Sequence, residues 1–270
     1  MRDLTILKLG GELLEEPERL RALASSIAQL ASTRPLVIVH GGGREIDAEC
    51  ARRGIPKRMV DGLRITDDLV LEAVIAVLAG TVNTRLTAAL VAAHARAVGL
   101  TGVDASLLTV EPAPPLEATD GRLVDLGLVG QPVGKEPPAV LLDLLQAGYV
   151  PTVATLGVSA DGQLFNVNAD TMAAHLSVTC HASRLLLAGG TAGVLDADQQ
   201  VIPVLDAETA HAMTADGRAS AGMVAKLTAG FSALDGGVSE VFIVDGRSPV
   251  HVDPPSGTRL VVQVASSLQG

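Results

Sequence analysis

Short runs rich in Leu, Ile and Val alternate along this chain with longer stretches rich in Ala and Leu. LTILKL (residues 4–9), PLVIVH (35–40), RLLLAGG (184–190) and EVFIVDG (240–246) are apolar at consecutive positions, as in strands covered on both faces. Helical stretches run over Glu16 to Ser32, Glu45 to Arg53, Asp67 to Leu78, Asn83 to His94, Ala169 to Cys180, Ala207 to Met213 and Val224 to Leu234, and one more ends at Gly148. Strands alternating with helices predict an α/β fold: a mostly parallel sheet between helical layers, with ligands at the carboxyl ends of the strands. Two segments break the rhythm. Asp61-Gly62, between KRMV and LRIT, marks a tight hairpin, and the Pro- and Gly-rich residues 107–134 read as short antiparallel strands.

Composition limits what this fold is built from and what it meets. The 270 residues include no Trp, one Tyr and three Phe, so the core is Ala, Leu and Val, and aromatic stacking on nucleic-acid bases is disfavoured. A formal charge of -10 argues against non-specific nucleic-acid binding, though a few local cations can still attract a small anion. Cys50 and Cys180 lie far apart with no C-x-x-C spacing, as buried thiols of a reducing compartment would. The first strand starts at once with no signal peptide, and the apolar runs are interrupted well before the ~18 residues of a membrane span. A cytoplasmic protein with no transmembrane helix is expected.

The first strand carries a cation where burial disfavours one: Lys8, followed by Gly10 and Gly11. A second glycine loop, Gly41-Gly42-Gly43, follows the second strand. Glycines let a backbone approach a ligand and permit positive φ, and free N–H groups at a helix start bind anions. Either loop alone is equally well a tight strand-to-helix turn; two of them, one with a lysine, favour phosphate. No G-x-x-x-x-G-K-[ST] and no G-x-G-x-x-G is present. In Asn166-Val167-Asn168-Ala169-Asp170, helix capping explains Asn168 and Asp170 but not Asn166. Taken singly, Lys226 in Gly222-Met223-Val224-Ala225-Lys226 reads as a solvated helical lysine, and Arg64 as an exposed strand arginine.

In this order KLGGELL, PLVIVHGGG, DGLRITD, LAGTVN, NVNAD and GMVAKL resemble the acetylglutamate kinases, a branch of the amino acid kinase superfamily. The resemblance extends from Leu4 to the GTRL at Gly257 and takes in AVGLTGVDASLL, LGLVGQP, GYVPTVATLGVSADGQ and GVLDADQQVI. Each motif alone is weak, whereas the ordered set is specific to the superfamily. The Arg64 hairpin and NVNAD point to the acetylglutamate branch.

The resemblance implies a three-layer sandwich around an open, mainly parallel eight-stranded sheet. Residues 1–172 would form an N-terminal lobe that binds the amino-acid substrate and makes a homodimer, and residues 173–270 a C-terminal lobe that binds ATP. The implied reaction moves the ATP γ-phosphoryl to the γ-carboxylate of N-acetyl-L-glutamate, a step of arginine biosynthesis. Lys8 and Lys226 would contact the transferring phosphoryl from opposite sides, with Asp170 between them. Gly10, Gly11 and Gly43 would offer N–H groups. Arg64 would grip the substrate α-carboxylate, and Asn166, helped by Gly42, its α-carboxylate or acetamido end. Gly190, Thr191, Gly193, Gly222 and Met223 would join Lys8, Gly10, Gly11 and Lys226 around the nucleotide. Mg²⁺ would ride mainly on the ATP phosphates, with no protein metal-ligand set. The start at the first strand, without the extra helix of arginine-inhibited hexameric members, implies a dimer free of arginine feedback.

Three features depart from the family pattern. Where the family has Thr/Ser-Asp-Val-x-Gly, this chain reads Ala188-Gly189-Gly190-Thr191-Ala192-Gly193, without the acid. GM-x-P-K becomes GMVAK, and the segment between VDGR and GTRL is too short for one C-terminal helix. Two other readings share these residues: a kinase of N-succinylglutamate or of a carrier-linked aminoadipate, and a degenerate homologue that binds a ligand to regulate a partner.

Overall fold

The computed structural model describes residues 3–250, 253 and 255–263. An eight-stranded sheet contains β1 (Thr5–Leu9), β2 (Leu36–His40), β3 (Ala97–Thr101), β4 (Val150–Ala154), β5 (Arg184–Gly189), β6 (Val204–Asp206), β7 (Glu240–Asp245) and β8 (Gly257–Val261). Their spatial order is β6-β8-β7-β5-β1-β2-β4-β3. From β7 to β3 all neighbours are parallel, while β8 runs antiparallel to β7 and pairs in parallel with β6. The helices are α1 (Pro17–Thr33), α2 (Gly43–Arg52), α3 (Asp68–Ala92), α4 (Ala139–Gln146), α5 (Ala169–Thr179), α6 (Ala207–Ala215) and α7 (Ala221–Asp235).

The two-residue period of a strand divides the core into two layers. Ile6, Val37, Val39, Leu185 and Leu187 pack with Met172 and Leu176 of α5 and Leu227 of α7. Leu7, Leu9, Leu36, Ile38 and Leu186 pack on the other face with Leu23 and Ile27 of α1, Ile46 of α2, and Val74 and Leu86 of α3. Burying each of these aliphatic side chains contributes about 1.5–3 kcal/mol. The same alternation puts Lys8 on the face of Ile6, toward α5 and α7. Cys50 and Cys180 are free, buried thiols.

Antiparallel hairpins attach to the sheet. Met59–Val60 pairs with Leu63–Arg64 across Asp61 and Gly62, whose φ values of 45° and 79° are the two positive angles a tight primed turn needs. Val110–Pro112 pairs with Gly130–Pro132, and Leu116–Glu117 with Leu123–Val124, as residues 107–134 predicted. Leu156–Val158 pairs with Leu164–Asn166 and leads into α5.

The structure differs from the sequence reading in α3. The expected break near Gly80 is instead a π-helical segment, Ala76–Val82, inside one continuous helix. The wider turn absorbs the glycine without ending the helix and leaves Leu78, Val82 and Asn83 all buried. At 25 residues and a mean hydropathy of 1.6, α3 is long and apolar enough to cross a membrane, contrary to the expectation from uninterrupted runs. Those runs were counted as two helices; joined, they pass the length. Here Val70, Val74, Leu78, Val82, Leu86 and Leu90 of α3 belong to the core. α7 starts at Ala221, before the expected Val224, and among the described residues no helix lies between β7 and β8. The last residue of the expected TRLVVQV strand, Val264, lies outside the described residues.

His40, at the end of β2, is fully buried. Burial is the main cause that pushes its pKa down, from 6.5 to about 4. The unfolded imidazole therefore takes up a proton in a range where the folded one does not, and stability is lost as pH falls from about 6.5 toward 4. Urea unfolding at pH 7 and pH 4.5 is expected to show a contribution of about 2–3 kcal/mol from this group. That contribution is absent when the comparison is repeated with His40→Asn.

Candidate active site

The site lies where β1 and β2 end. A cavity of about 230 Å³ there is lined by Lys8, Gly10, Gly11, Gly42, Gly43, Arg64, Asn166 and Asp170, which gathers most of the sequence-predicted substrate residues. Asn168 caps α5: its Oδ1 accepts the N–H groups of Asp170 (2.9 Å) and Thr171 (3.0 Å). Asp170 thus occupies the first turn of α5, where the helix dipole favours an anion, on the face toward Lys8. Lys8 Nζ lies 3.0 Å from Asp170 Oδ1, and Lys226 Nζ of α7 lies 3.7 Å from Asp170 Oδ2. Asp170 Oδ1 makes no hydrogen bond of good geometry, so its contact with Lys8 is charge against charge. All three side chains are largely buried. Burial, followed by the charge of Lys8, pushes the Lys226 pKa below the usual lysine value, and the charges of Asp170 and Glu12 oppose the shift.

The two glycine loops meet here for a different reason than positive φ. None of Gly10, Gly11, Gly41, Gly42 and Gly43 has a positive φ. Gly11 is needed because a Cβ would stand 2.8 Å from Gly42 Cα, backbone against backbone. Gly42 is needed because a Cβ would meet Leu78 at 2.9 Å and Val82 at 3.1 Å, both from the π segment of α3. Gly43 opens α2, and a Cβ on it would meet nothing within 4 Å. One expectation fails: the N–H of Gly10 is spent on the carbonyl of Ala188 (3.0 Å) and does not face a ligand. The available donors are those of Gly11, Gly42 and Gly43.

Arg64 lines the cavity, largely buried rather than exposed. Its Nη2 donates to Asp47 and to the Gly43 carbonyl (3.1 Å), which fixes the guanidinium plane. Burial alone would raise the Asp47 carboxyl, but Lys57 and Arg64 hold it below the usual range. Asn166 Nδ2 donates to Thr66 Oγ1 (3.2 Å), a buried hydroxyl that the sequence reading missed. Gly62, at the hairpin tip, touches the first residue of α7: a Cβ on it would lie 2.8 Å from Ala221 Cβ.

The nucleotide-side residues do not share one cavity. Thr191, Gly193 and Met223 line a space of about 340 Å³ with Met213 and Arg218. Gly190 borders a different space of about 500 Å³ with Glu12 and Arg247, and Gly222 lines neither. Glu12 was also missed. Its Oε1 accepts the N–H of Gly190 (2.9 Å), so a carboxylate stands beside the glycine loop that lacks the expected acid. The signal was present as an acidic residue two positions after Gly10. A larger cavity of about 880 Å³ between α5, α7 and the hairpin contains none of Lys8, Asp170 and Lys226; the charges, not the volume, locate the site.

The sequence profile of the amino acid kinase family matches residues 3–245. An acetylglutamate kinase of Caulobacter sp. (strain K31) is 38% identical over 260 residues, covering 92% of this chain and 85% of that protein. An acetylglutamate kinase of Afipia carboxidovorans is 39% identical over 254 residues, covering 90% and 84%. Among solved structures, smu.665 of Streptococcus mutans superposes with a TM-score of 0.82 at 24% identity over 97% of this chain and 100% of that one. The N-acetylglutamate synthase of Neisseria gonorrhoeae, complexed with coenzyme A and N-acetyl-glutamate, gives 0.80 at 26% identity, over 97% of this chain and 60% of that one.

The different packing of the two glycines gives a direct comparison. Gly11→Ala is expected to cost about 1–3 kcal/mol, seen as a lower thermal midpoint, because its methyl group meets backbone. Gly43→Ala, in open space at a helix start, is expected to match or slightly exceed the parent midpoint.

Proposed function

The chain belongs to the amino acid kinase family, and from that premise we propose that it transfers the γ-phosphoryl of ATP to the γ-carboxylate of N-acetyl-L-glutamate. The observation that carries this reading is the pair of lysines held on one carboxylate, Lys8 and Lys226 on Asp170, beside the joined glycine loops. The acceptor carboxylate is ionised at neutral pH and needs no general base. An oxygen of that carboxylate forms a bond to the γ-phosphorus, the bond from the γ-phosphorus to its bridging oxygen breaks, and ADP leaves with the electron pair. The obstacle is anion meeting anion. Two ammonium groups and the N–H groups of Gly11, Gly42 and Gly43 offset it by positioning and electrostatic stabilisation.

Arg64 fits the substrate α-carboxylate, and Asn166 fits the α-carboxylate or acetamido end. Thr191, Gly193 and Met223 fit the nucleotide. Mg²⁺ is assigned to the ATP phosphates. There it neutralises phosphate charge. The lobes are assigned to residues 1–172 and 173–270. A homodimer is supported by the exposed Leu69 and Val91 of the apolar α3 and by β3, which ends the sheet; light scattering tests it. One observation favours a ligand-binding homologue without transfer: Gly189-Gly190 stands where an acid was expected. The intact Lys8–Asp170–Lys226 cluster favours the kinase.

The test is hydroxamate formation from N-acetylglutamate, N-succinylglutamate and glutamate with MgATP. Turnover highest with N-acetylglutamate is expected, and none with any acceptor refutes the reading. Lys8→Ala and Lys226→Ala are each expected to lower kcat ~10²–10³-fold with smaller changes in KM. Asp170→Asn removes a charge that raises the Lys226 pKa. The alkaline limb of its kcat/KM profile is expected at lower pH than in the parent enzyme.

A further inference from the structure

We propose that His40 and Asn83 are positioning residues that aim the Gly42 N–H into the phosphoryl site. His40 is fully buried, lines no part of the cavity and has no role in the transfer just described. Its Nδ1 lies 3.1 Å from the carbonyl oxygen of Gly41, and its Nε2 lies 2.9 Å from Asn83 Nδ2.

The orientation of Asn83 decides the tautomer. Its Nδ2 is also 2.8 Å from the Thr152 carbonyl of β4 and 3.2 Å from the Leu100 carbonyl of β3. Carbonyls only accept, so the Asn83 NH₂ faces them and its oxygen turns toward Gly99, where a Cβ would stand 2.2 Å away. The NH₂ carries two protons: one serves the Thr152 carbonyl and one His40 Nε2, with the longer Leu100 contact shared, so Nε2 accepts, as the Gly41 carbonyl facing Nδ1 also requires. The imidazole is neutral with its proton on Nδ1, and that proton is donated to the Gly41 carbonyl. The π segment of α3 ends at Val82, immediately before Asn83, and brings this residue inward against three neighbouring strands.

The consequence lies across one peptide bond. In a trans peptide the C=O of one residue and the N–H of the next point in opposite directions. His40 draws the Gly41 carbonyl into the core, so the Gly42 N–H points the other way, toward the cavity. Gly42 N lies 3.2 Å from where a Gly11 Cβ would stand, and both glycines line the cavity. Among the described residues the His40 donor makes the one hydrogen bond to the Gly41 carbonyl, and the packing of Gly42 against Gly11, Leu78 and Val82 bonds neither end of this peptide.

The inference rests on the proposed phosphoryl transfer, so its test has two arms. In the kinetic arm, His40→Leu is expected to lose about 10²-fold in kcat, the typical effect of one lost transition-state donor, with KM for N-acetyl-L-glutamate and MgATP nearly unchanged. His40→Asn keeps an N–H donor close to the Nδ1 position and is expected to regain at least about tenfold of that loss. If His40→Leu does not fold, His40→Phe fills the ring volume without a donor and takes its place. A parental kcat in the donor-less variant, or His40→Asn no faster than it, overturns the proposal. The second arm is the crystal structure of each variant. A Gly41–Gly42 peptide rotated in the donor-less variant and retained in His40→Asn is expected, and an unmoved peptide overturns the proposal. If the parent chain phosphorylates no acceptor, the reaction assignment fails, while the crystal structures still decide whether His40 holds the peptide.

Discussion

Two ammonium groups share one buried carboxylate, and the rest of the site is arranged around that shared charge. Asp170 is held by helix geometry: Asn168 caps α5 and leaves the carboxylate in the first turn, where the dipole favours it. Lys8 reaches it from β1 and Lys226 from α7. Lys8 and Lys226 share Asp170 with Glu12 nearby, and Arg64, paired with Asp47, lines the same cavity. A protein with a formal charge of -10 thus gathers three cations where its sheet ends, each beside a carboxylate. The pKa of Lys226 is depressed first by burial and then by the neighbouring Lys8.

The second constraint is steric. Gly11 and Gly42 approach until neither tolerates a side chain, and the π segment of α3 closes on Gly42 from behind with Leu78 and Val82. Three elements remote in sequence therefore fix one loop. A regular helix in place of the π turn would place Leu78, Val82 and Asn83 differently around the axis, and the packing on Gly42 and the hydrogen bond to His40 depend on those positions together.

Much of this was legible because the sequence breaks its own rules at the site. Lys8 is a charge in a buried strand, and strand alternation puts it on the face of α5 and α7. Asp61-Gly62 demands a primed turn and has one. The capping role of Asn168 follows from its place before a helical stretch. Other features were hidden because they depend on contacts distant in sequence. Gly80 read as a helix break, since a π turn has no local signature. Gly10 read as a donor, but the partner that takes its N–H, Ala188, belongs to a neighbouring strand. Gly222 belongs to the motif that carries Lys226, yet it lines neither nucleotide-side cavity. Thr66 gave no signal, because an isolated threonine near a hairpin is common until Asn166 is seen bonded to it.

Glu12 joins the departure at Gly189-Gly190 to the rest of the site. Without an acid in that loop, the Gly190 N–H would face a ligand or solvent; Glu12 accepts it instead. Gly10 provides the room, since a Cβ on it would stand 2.4 Å from the Glu12 carboxylate. Its charge also raises the Lys226 pKa, in concert with Asp170. Lys226 thus stands between two carboxylates, one from α5 and one from the loop after β1. The glycines of the first loop therefore serve two purposes. Gly11 brings the second loop close, and Gly10 makes space for Glu12.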